Sequence, residues 1–379
     1  MNETVRKKLG ERWRYPILDS AARRLPAPAA RGAAVVVCTP GHLGDVLHAV
    51  PMLRALRAGK PAAKVVWLVG PWSETLARRY AALVDEIRIF GPNLPNYARG
   101  KRAWRQSAWR QWRVALDLRR LGPDVLIAPL DAPGRFLANA ACPRIWVGIG
   151  ERRPPRVRPD IATVVQPYEK DRYEADAWCG LLEPLGIAAR AERLEYEATP
   201  EERRAAEDFL KSAGVNVERP LVLIAPGSGW SGKNWLPERF GEVAAWLSTE
   251  RNAQIAWIGG PEEAALVPAA RAGDFHWFGQ VPLPVLAAVL PRARVFVGND
   301  GGLLHFAAAQ GVPTVSIWGP TSPGKWGPKG EHHRQIRKVE RCKGCIYWDY
   351  RETCRHDRIC MKAIEVNDLK EAIRAVQAM

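Results

Sequence analysis

The sequence predicts an α/β protein built from two Rossmann-like domains, and three observations carry that prediction. Short apolar runs suited to strands buried on both faces recur along the chain, separated by stretches of helical spacing, which is the alternation of a parallel sheet. The alternation occurs twice, with a break near residues 186–199. The third observation is residues 294–323, RVFVGNDGGLLHFAAAQGVPTVSIWGPTSP, which read as strand, tight turn, helix and strand. In an open parallel sheet the ligand crevice lies at the carboxyl ends of the strands, so Asp300, Gly301, Gly302 and Thr321 are expected to face it. Gly301 and Gly302 lack a Cβ, which lets a polar ligand approach the backbone and the N–H groups that open the following helix.

The first alternating set begins at residues 33–38, AAVVVC, and TPGHLGD then turns into a helix at VLHAVPMLRALR. Further strands are expected at 64–69, 86–90, 125–129 and 145–149. Residues 150–170, rich in proline, read as a connecting loop, and 173–185 as a helix leading out of the domain. The second set begins at 221–225, LVLIA, with strands at 254–258, 294–297 and 314–318 and helices near 237–248, 282–290 and 303–310. The expected divisions are a basic extension (1–31), a first domain (32–186), a second domain (187–360) and a last helix (361–379). Ile364, Leu369, Ile373 and Val376 form a helical stripe on that last segment, which is expected to pack near the domain junction.

At 379 residues, 47% hydrophobic and 25% charged, the chain is globular and long enough for two cores. It has no apolar run of about 18 residues and no apolar stretch behind its basic N-terminus, so a cytoplasmic protein is expected. The net charge of +16 is uneven: residues 1–190 hold 32 Lys and Arg against 17 Asp and Glu, out of 56 and 40 in all. Such asymmetry points to an anionic partner for the first half. The most basic stretch, 99–120, carries eight Lys or Arg against one acid, Asp117, with Trp104, Ala108, Trp112 and Leu116 at helical steps. A basic helix with tryptophans suits an anionic membrane surface or a phosphorylated acceptor, with Arg102, Arg105 and Arg113 as the contacts; a solvated helix packed by its tryptophans is the alternative. No nucleic-acid motif accompanies it, so nucleic acid is not an expected partner.

The second domain opens with APGSGWSGKNWLPERF, residues 225–240. Backbone N–H groups, the Ser228 hydroxyl and the Lys233 ammonium suit a diphosphate. The loop is not a Walker A loop, because Asn234 stands where Ser or Thr would hold magnesium. In WIGGPEE, residues 257–263, Glu262 suits ribose hydroxyls, while a helix-capping role for Glu262 or Glu263 fits equally.

The segments GDVLHAVPMLRAL (44–56), APGSGWSGKNWL (225–236) and GNDGGLLHFAAAQGVPTVSIWGPT (298–321) together resemble glycosyltransferase family 9, the ADP-heptose:lipopolysaccharide heptosyltransferases. The resemblance spans residues 33 to about 370. It implies a GT-B fold, with two Rossmann-like domains facing a central cleft, the acceptor on the first and the nucleotide-sugar on the second. It implies Asp45 as the catalytic carboxylate, Lys233 and Ser228 as donor phosphate contacts, and Asp300, Gly301, Gly302 and His305 as the donor-binding turn and helix, with Glu262 at the ribose. The chain departs from the family at Gly301 and Leu304, where hydroxyl side chains are common.

These roles match the chemistry of moving a sugar from a nucleoside diphosphate. Asp45 would take the acceptor proton, and Lys233 with the helix N-termini would offset the charge of the leaving group. Capping of the helix is the plainer reading of Asp45. No Asp-x-Asp occurs in the chain, so an inverting displacement that needs no metal is expected; the resemblance implies ADP-heptose as donor and the lipopolysaccharide inner core as acceptor. Another nucleotide-sugar, a protein acceptor as in the autotransporter heptosyltransferases, and a non-catalytic nucleotide-sugar-binding module are the alternatives.

Cys342, Cys345, Cys354 and Cys360 form C-x2-C-x8-C-x5-C. Four thiolates at this spacing suit a structural zinc or iron, and the resemblance extends to an iron finger known in the autotransporter heptosyltransferases; reduced thiols packing the C-terminal segment are the alternative. Cys38, Cys142 and Cys179 read as buried thiols.

Overall fold

The structure is a computed structural model that describes residues 18–28, 32–90, 101–150, 156–267, 273–342, 354 and 356–377, with 101–108, 341 and 377 described by backbone alone. The chain divides into two compact units, Met1–Glu169 with Glu174–Glu192, and Lys170–Tyr173 with Arg193–Met379. The division between residues 192 and 193 falls within the stretch 186–199, and the short segment 170–173 belongs with the second unit.

The first unit holds strands β1 (Val35–Thr39), β2 (Val65–Val69), β3 (Glu86–Ile89), β4 (Val125–Ile127), β5 (Ile145–Gly150) and β6 (Ala162–Pro167) in one sheet, ordered β3-β2-β1-β4-β5-β6. Every pairing is parallel, with Val35 opposite Val65 on one side of β1 and Val125 on the other. The strand order reverses between β1 and β4, which makes their carboxyl ends the switch point of the sheet. β1, β2 and β4 are buried along their length, as their valine-rich sequences require. β6 lies in the stretch read as a connecting loop. It is an edge strand with a half-exposed pattern and a terminal proline, so neither continuous apolarity nor alternation marks it.

Residues 18–23 are helical and belong to the first unit's core, which corrects their assignment to a basic extension. Ala22 is fully buried, and the buried Asp19 carboxylate is bridged by Arg23 at 3.1 Å and Arg135 at 3.2 Å. Arg158 continues the attachment by donating to the carbonyls of Arg23 and Leu25.

The second unit repeats the plan with β7 (Leu221–Ala225), β8 (Gln254–Gly259), β9 (Phe275–Phe278), β10 (Val295–Asn299), β11 (Thr314–Ile317) and β12 (His333–Ile336), ordered β12-β11-β10-β7-β8-β9 and parallel throughout. Its switch point falls between β7 and β10. The edge strands β9 and β12 add to the strands expected from the sequence; their mixed polar sequences FHWF and HRQI are only half buried. The helix Pro200–Ser212 is a further addition, opening the unit with a capping box in which Thr199 and Glu202 bond each other's backbone N–H groups.

The C-terminal helix Val366–Gln377 lies against the helix Pro237–Arg251 and strands β11 and β12. Ile364, Leu369, Ile373 and Val376 are buried in the second unit's core with Trp235 and Phe240. The stripe expected on that segment therefore faces the core of the second unit. Among the described residues no helix is long and apolar enough to cross a membrane.

Candidate functional site

The second unit brings its predicted residues together where its strand order reverses. β7 ends at Ala225 and runs into the loop 226–236, and β10 ends at Asn299 and runs into the helix Gly302–Ala309. The two turns are joined by Asn299, which is 1% exposed. Its Oδ1 accepts the Trp235 N–H at 3.0 Å, and its Nδ2 donates to the Pro226 carbonyl at 2.7 Å. One side chain therefore clamps both ends of the loop that carries Ser228 and Lys233. The Trp235 indole adds a third tie, donating to the Ile364 carbonyl at 3.0 Å.

Asp300 follows Asn299 and is buried. Lys233 Nζ lies 3.1 Å from Asp300 Oδ2, and His305 Nε2 lies 4.0 Å from Asp300 Oδ1. Burial alone would push the Asp300 carboxyl up; the Lys233 ammonium, His305 and the Thr321 hydroxyl outweigh it and hold the group below the usual carboxylate value. Thr321, expected to face the crevice, is thus beside Asp300 from the turn after β11. The site combines a buried carboxylate with an ammonium that is only partly covered, its side chain 17% exposed.

The helix Gly302–Ala309 begins without a side-chain cap at Gly301. A Cβ on Gly302 would meet nothing within 4 Å, and one on Gly301 would meet only Ser228 and backbone near 3.8 Å. The uncapped start of this helix follows directly on Asp300, which holds the Lys233 ammonium, an arrangement that favours an anion. Ser228 is half-buried, its Oγ 2.8 Å from the Trp230 carbonyl and 2.6 Å from Asn234 Oδ1, so it shapes the loop as well as lining it.

The two adjacent glutamates separate. Glu262 is exposed, whereas Glu263 turns inward, where its carboxylate occupies the space a Cβ on Gly227 would fill. Glu263 Oε2 accepts the Gly260 N–H at 2.8 Å, capping the short helix Pro261–Leu266. Burial, more than that hydrogen bond offsets, pushes the Glu263 carboxyl above its usual value, and Glu262 adds to the effect. The capping role expected of Glu263 is thus present, and the clamp made by Asn299 is an addition for which the local sequence carries no signal.

Asp45 belongs to the first unit, at the start of the helix Leu43–Gly59 beyond β1. It is half-buried, and its Oδ2 accepts the His42 N–H at 2.5 Å. The capping role is therefore present in the structure, and it holds the carboxylate at the carboxyl end of β1, beside that sheet's switch point. His48 is fully buried, with Nδ1 2.7 Å from the Gly44 carbonyl.

Arg102 and Arg105 lie on the helix Lys101–Leu121, in the part described by backbone alone; Arg113 is exposed on the same helix with Arg110. Trp109 is 64% exposed, while Trp112 stacks on Phe136 at 5.7 Å. Of the four late cysteines, Cys342 and Cys360 are buried in the second unit's core, Cys354 is half-buried, and Cys345 lies outside the described residues. Among the described residues no group of three or more His, Cys, Asp or Glu is placed to hold a metal ion.

Residues 166–356 match the family model for glycosyltransferase family 9 (heptosyltransferase). The chain is 26% identical to lipopolysaccharide heptosyltransferase 1 of Pseudomonas aeruginosa over 332 residues, covering 84% of this chain and 87% of that protein. Its fold is similar to the crystal structure of a family 9 glycosyl transferase from Veillonella parvula, with a TM-score of 0.71 and 23% identity over 92% of this chain and 98% of that one. It is also similar to the E. coli ADP-heptose lipopolysaccharide heptosyltransferase II, with a TM-score of 0.66 and 19% identity over 91% and 98%. The two parallel α/β units are those of the GT-B fold, and the chain is a glycosyltransferase belonging to family 9, the heptosyltransferases.

Proposed function

We propose that this enzyme transfers a heptose from ADP-heptose to the inner core of lipopolysaccharide, with inversion at the sugar and without a catalytic metal. The observation that carries the reading is the convergence of Lys233, Asp300 and the open start of the helix Gly302–Ala309 at the second unit's switch point. That constellation suits the diphosphate of a nucleotide-sugar. The donor named for the E. coli structure and the acceptor named for the P. aeruginosa relative supply the chemical identities.

In this reading the diphosphate lies at the start of the Gly302–Ala309 helix, with Lys233 turned to its oxygens and His305 beside Asp300. Fixed positive groups there stabilise the charge that develops as the sugar–phosphate bond breaks. Glu263, the glutamate that turns inward, takes the ribose hydroxyls, and Glu262 stands at the rim. Asp45 accepts the proton of the attacking acceptor hydroxyl as that oxygen reaches the anomeric carbon from the face opposite the diphosphate. The absence of Asp-x-Asp from the sequence supports charge neutralisation by Lys233 and backbone N–H groups.

The acceptor is an anionic glycolipid. The exposed Trp109, Arg110 and Arg113 on the helix Lys101–Leu121 suit a phosphorylated acceptor at the cytoplasmic face of the inner membrane. The test is incubation with ADP-heptose and lipopolysaccharide from a heptose-deficient strain, in the presence of EDTA, followed by mass and anomeric analysis. One added heptose of inverted configuration is expected. Transfer that stops with EDTA, or proceeds with retention, contradicts the mechanism.

A further inference from the structure

The turn that carries Asp45 is held from the neighbouring strand by side chains to which the sequence assigned no role. Trp67 on β2 donates from Nε1 to Thr39 Oγ1 at 2.8 Å, fixing the end of β1. Trp72, in the turn after β2, donates from Nε1 to the Gly41 carbonyl at 2.7 Å. The hydroxyl of Ser73, fully buried, donates to the same oxygen at 3.3 Å. The indole of Trp72 lies over Gly70, where a Cβ would stand 2.6 Å from the ring.

Gly41 is the contact between this brace and the carboxylate. A Cβ on Gly41 would stand 2.1 Å from Asp45 Oδ2, so the carboxylate rests where a side chain would otherwise be. Only glycine admits that approach, and glycine also leaves the peptide free to rotate unless its carbonyl is pinned. Two donors from the β2 turn pin it. The next residue, His42, supplies the N–H that Asp45 accepts, so rotation of the Gly41–His42 peptide would move the donor and the carboxylate together.

We infer that Trp72 is a positioning residue for Asp45: with Ser73 it locks the Gly41–His42 peptide, and that peptide sets where the carboxylate stands. The inference rests on the reading of Asp45 as the general base. A catalytic group displaced by about 1 Å can lose a hundredfold in rate, so a brace acting only through Asp45 affects turnover and not donor binding.

The test compares wild type, Trp72→Phe, Asp45→Asn and the double variant, with ADP-heptose and lipopolysaccharide from a heptose-deficient strain as substrates. Phenylalanine keeps one aromatic ring at this position and removes the N–H together with the fused second ring. The expected result is a fall in kcat of about tenfold for Trp72→Phe, with the KM for ADP-heptose and the calorimetric affinity for ADP unchanged. In the Asp45→Asn background the same change should cost nothing further. An unchanged kcat in Trp72→Phe, or an equal loss in both backgrounds, overturns the inference while leaving Asp45 as the base. Full activity in Asp45→Asn overturns the general-base reading and the inference with it. Should Trp72→Phe fail to fold, Ser73→Ala removes the second donor to the same oxygen; a smaller fall in kcat at constant KM is expected, and no fall overturns the inference.

Discussion

Lys233 and Asp300, 67 residues apart in sequence, meet at 3.1 Å where the second sheet reverses its strand order. The pair places a cation at an open helix start while the buried carboxylate partly neutralises it. Replacing Lys233 by Ala removes the charged donor from the proposed diphosphate subsite. ADP affinity, measured by calorimetry, should fall by about ten- to a hundredfold, the worth of one hydrogen bond to a charged group.

The same pair makes a pH prediction. The Asp300 carboxyl is held below its usual value in the folded protein, so the stability it contributes is complete above the unfolded value of about 3.9. That contribution is lost as the pH falls through the lower folded-state value. Denaturant unfolding of wild type and Asp300→Asn should therefore differ most near neutral pH and converge under acid conditions. A difference that does not narrow in acid contradicts the assignment.

Asn299 is a structural counterpart to this pair. Asn299→Ala strands the Trp235 N–H and the Pro226 carbonyl in a buried setting. It should destabilise the protein by about 2–3 kcal/mol, as expected for unsatisfied buried groups, and weaken ADP binding because the 226–236 loop is released. Urea unfolding together with calorimetry checks both effects.

The glutamates give a prediction from adjacent residues. Glu263→Ala should weaken ADP binding by about tenfold, and Glu262→Ala by much less, because only Glu263 turns toward Gly227. A larger loss in Glu262→Ala would return the ribose to Glu262.

These particulars show what the sequence could reveal. β1, β7 and β10 were legible because central parallel strands are apolar on both faces, and Lys233 and Asp300 were legible because the one ends and the other opens a glycine-bearing turn beyond such a strand. β6, β9 and β12 were not, since an edge strand is half exposed and carries mixed residues. Asn299 stands beside Asp300 in the sequence, yet its partners are 64 and 73 residues away, a relation that local pattern does not carry. Glu262 and Glu263 share composition and turn; only the course of the short helix decides which one faces inward. Residues 18–23 looked like part of a basic tail because the burial of Ala22 and Asp19 depends on helix partners far along the chain.

The exposed face of the helix Lys101–Leu121 carries a separate prediction. Charge reversal at Arg110 and Arg113 should weaken binding to vesicles rich in anionic lipid, by about 1 kcal/mol per charge removed, while ADP affinity stays unchanged. Loss of both would mean that the variant had misfolded.

The central claim is that the second unit holds ADP-heptose without a metal. Its most direct test is calorimetric binding of ADP, UDP and their heptose and hexosamine conjugates to the purified protein, with and without EDTA. The account predicts tight ADP-heptose binding that EDTA leaves unchanged and that Lys233→Ala weakens. A preference for UDP-sugars, or binding that disappears with EDTA, would contradict it.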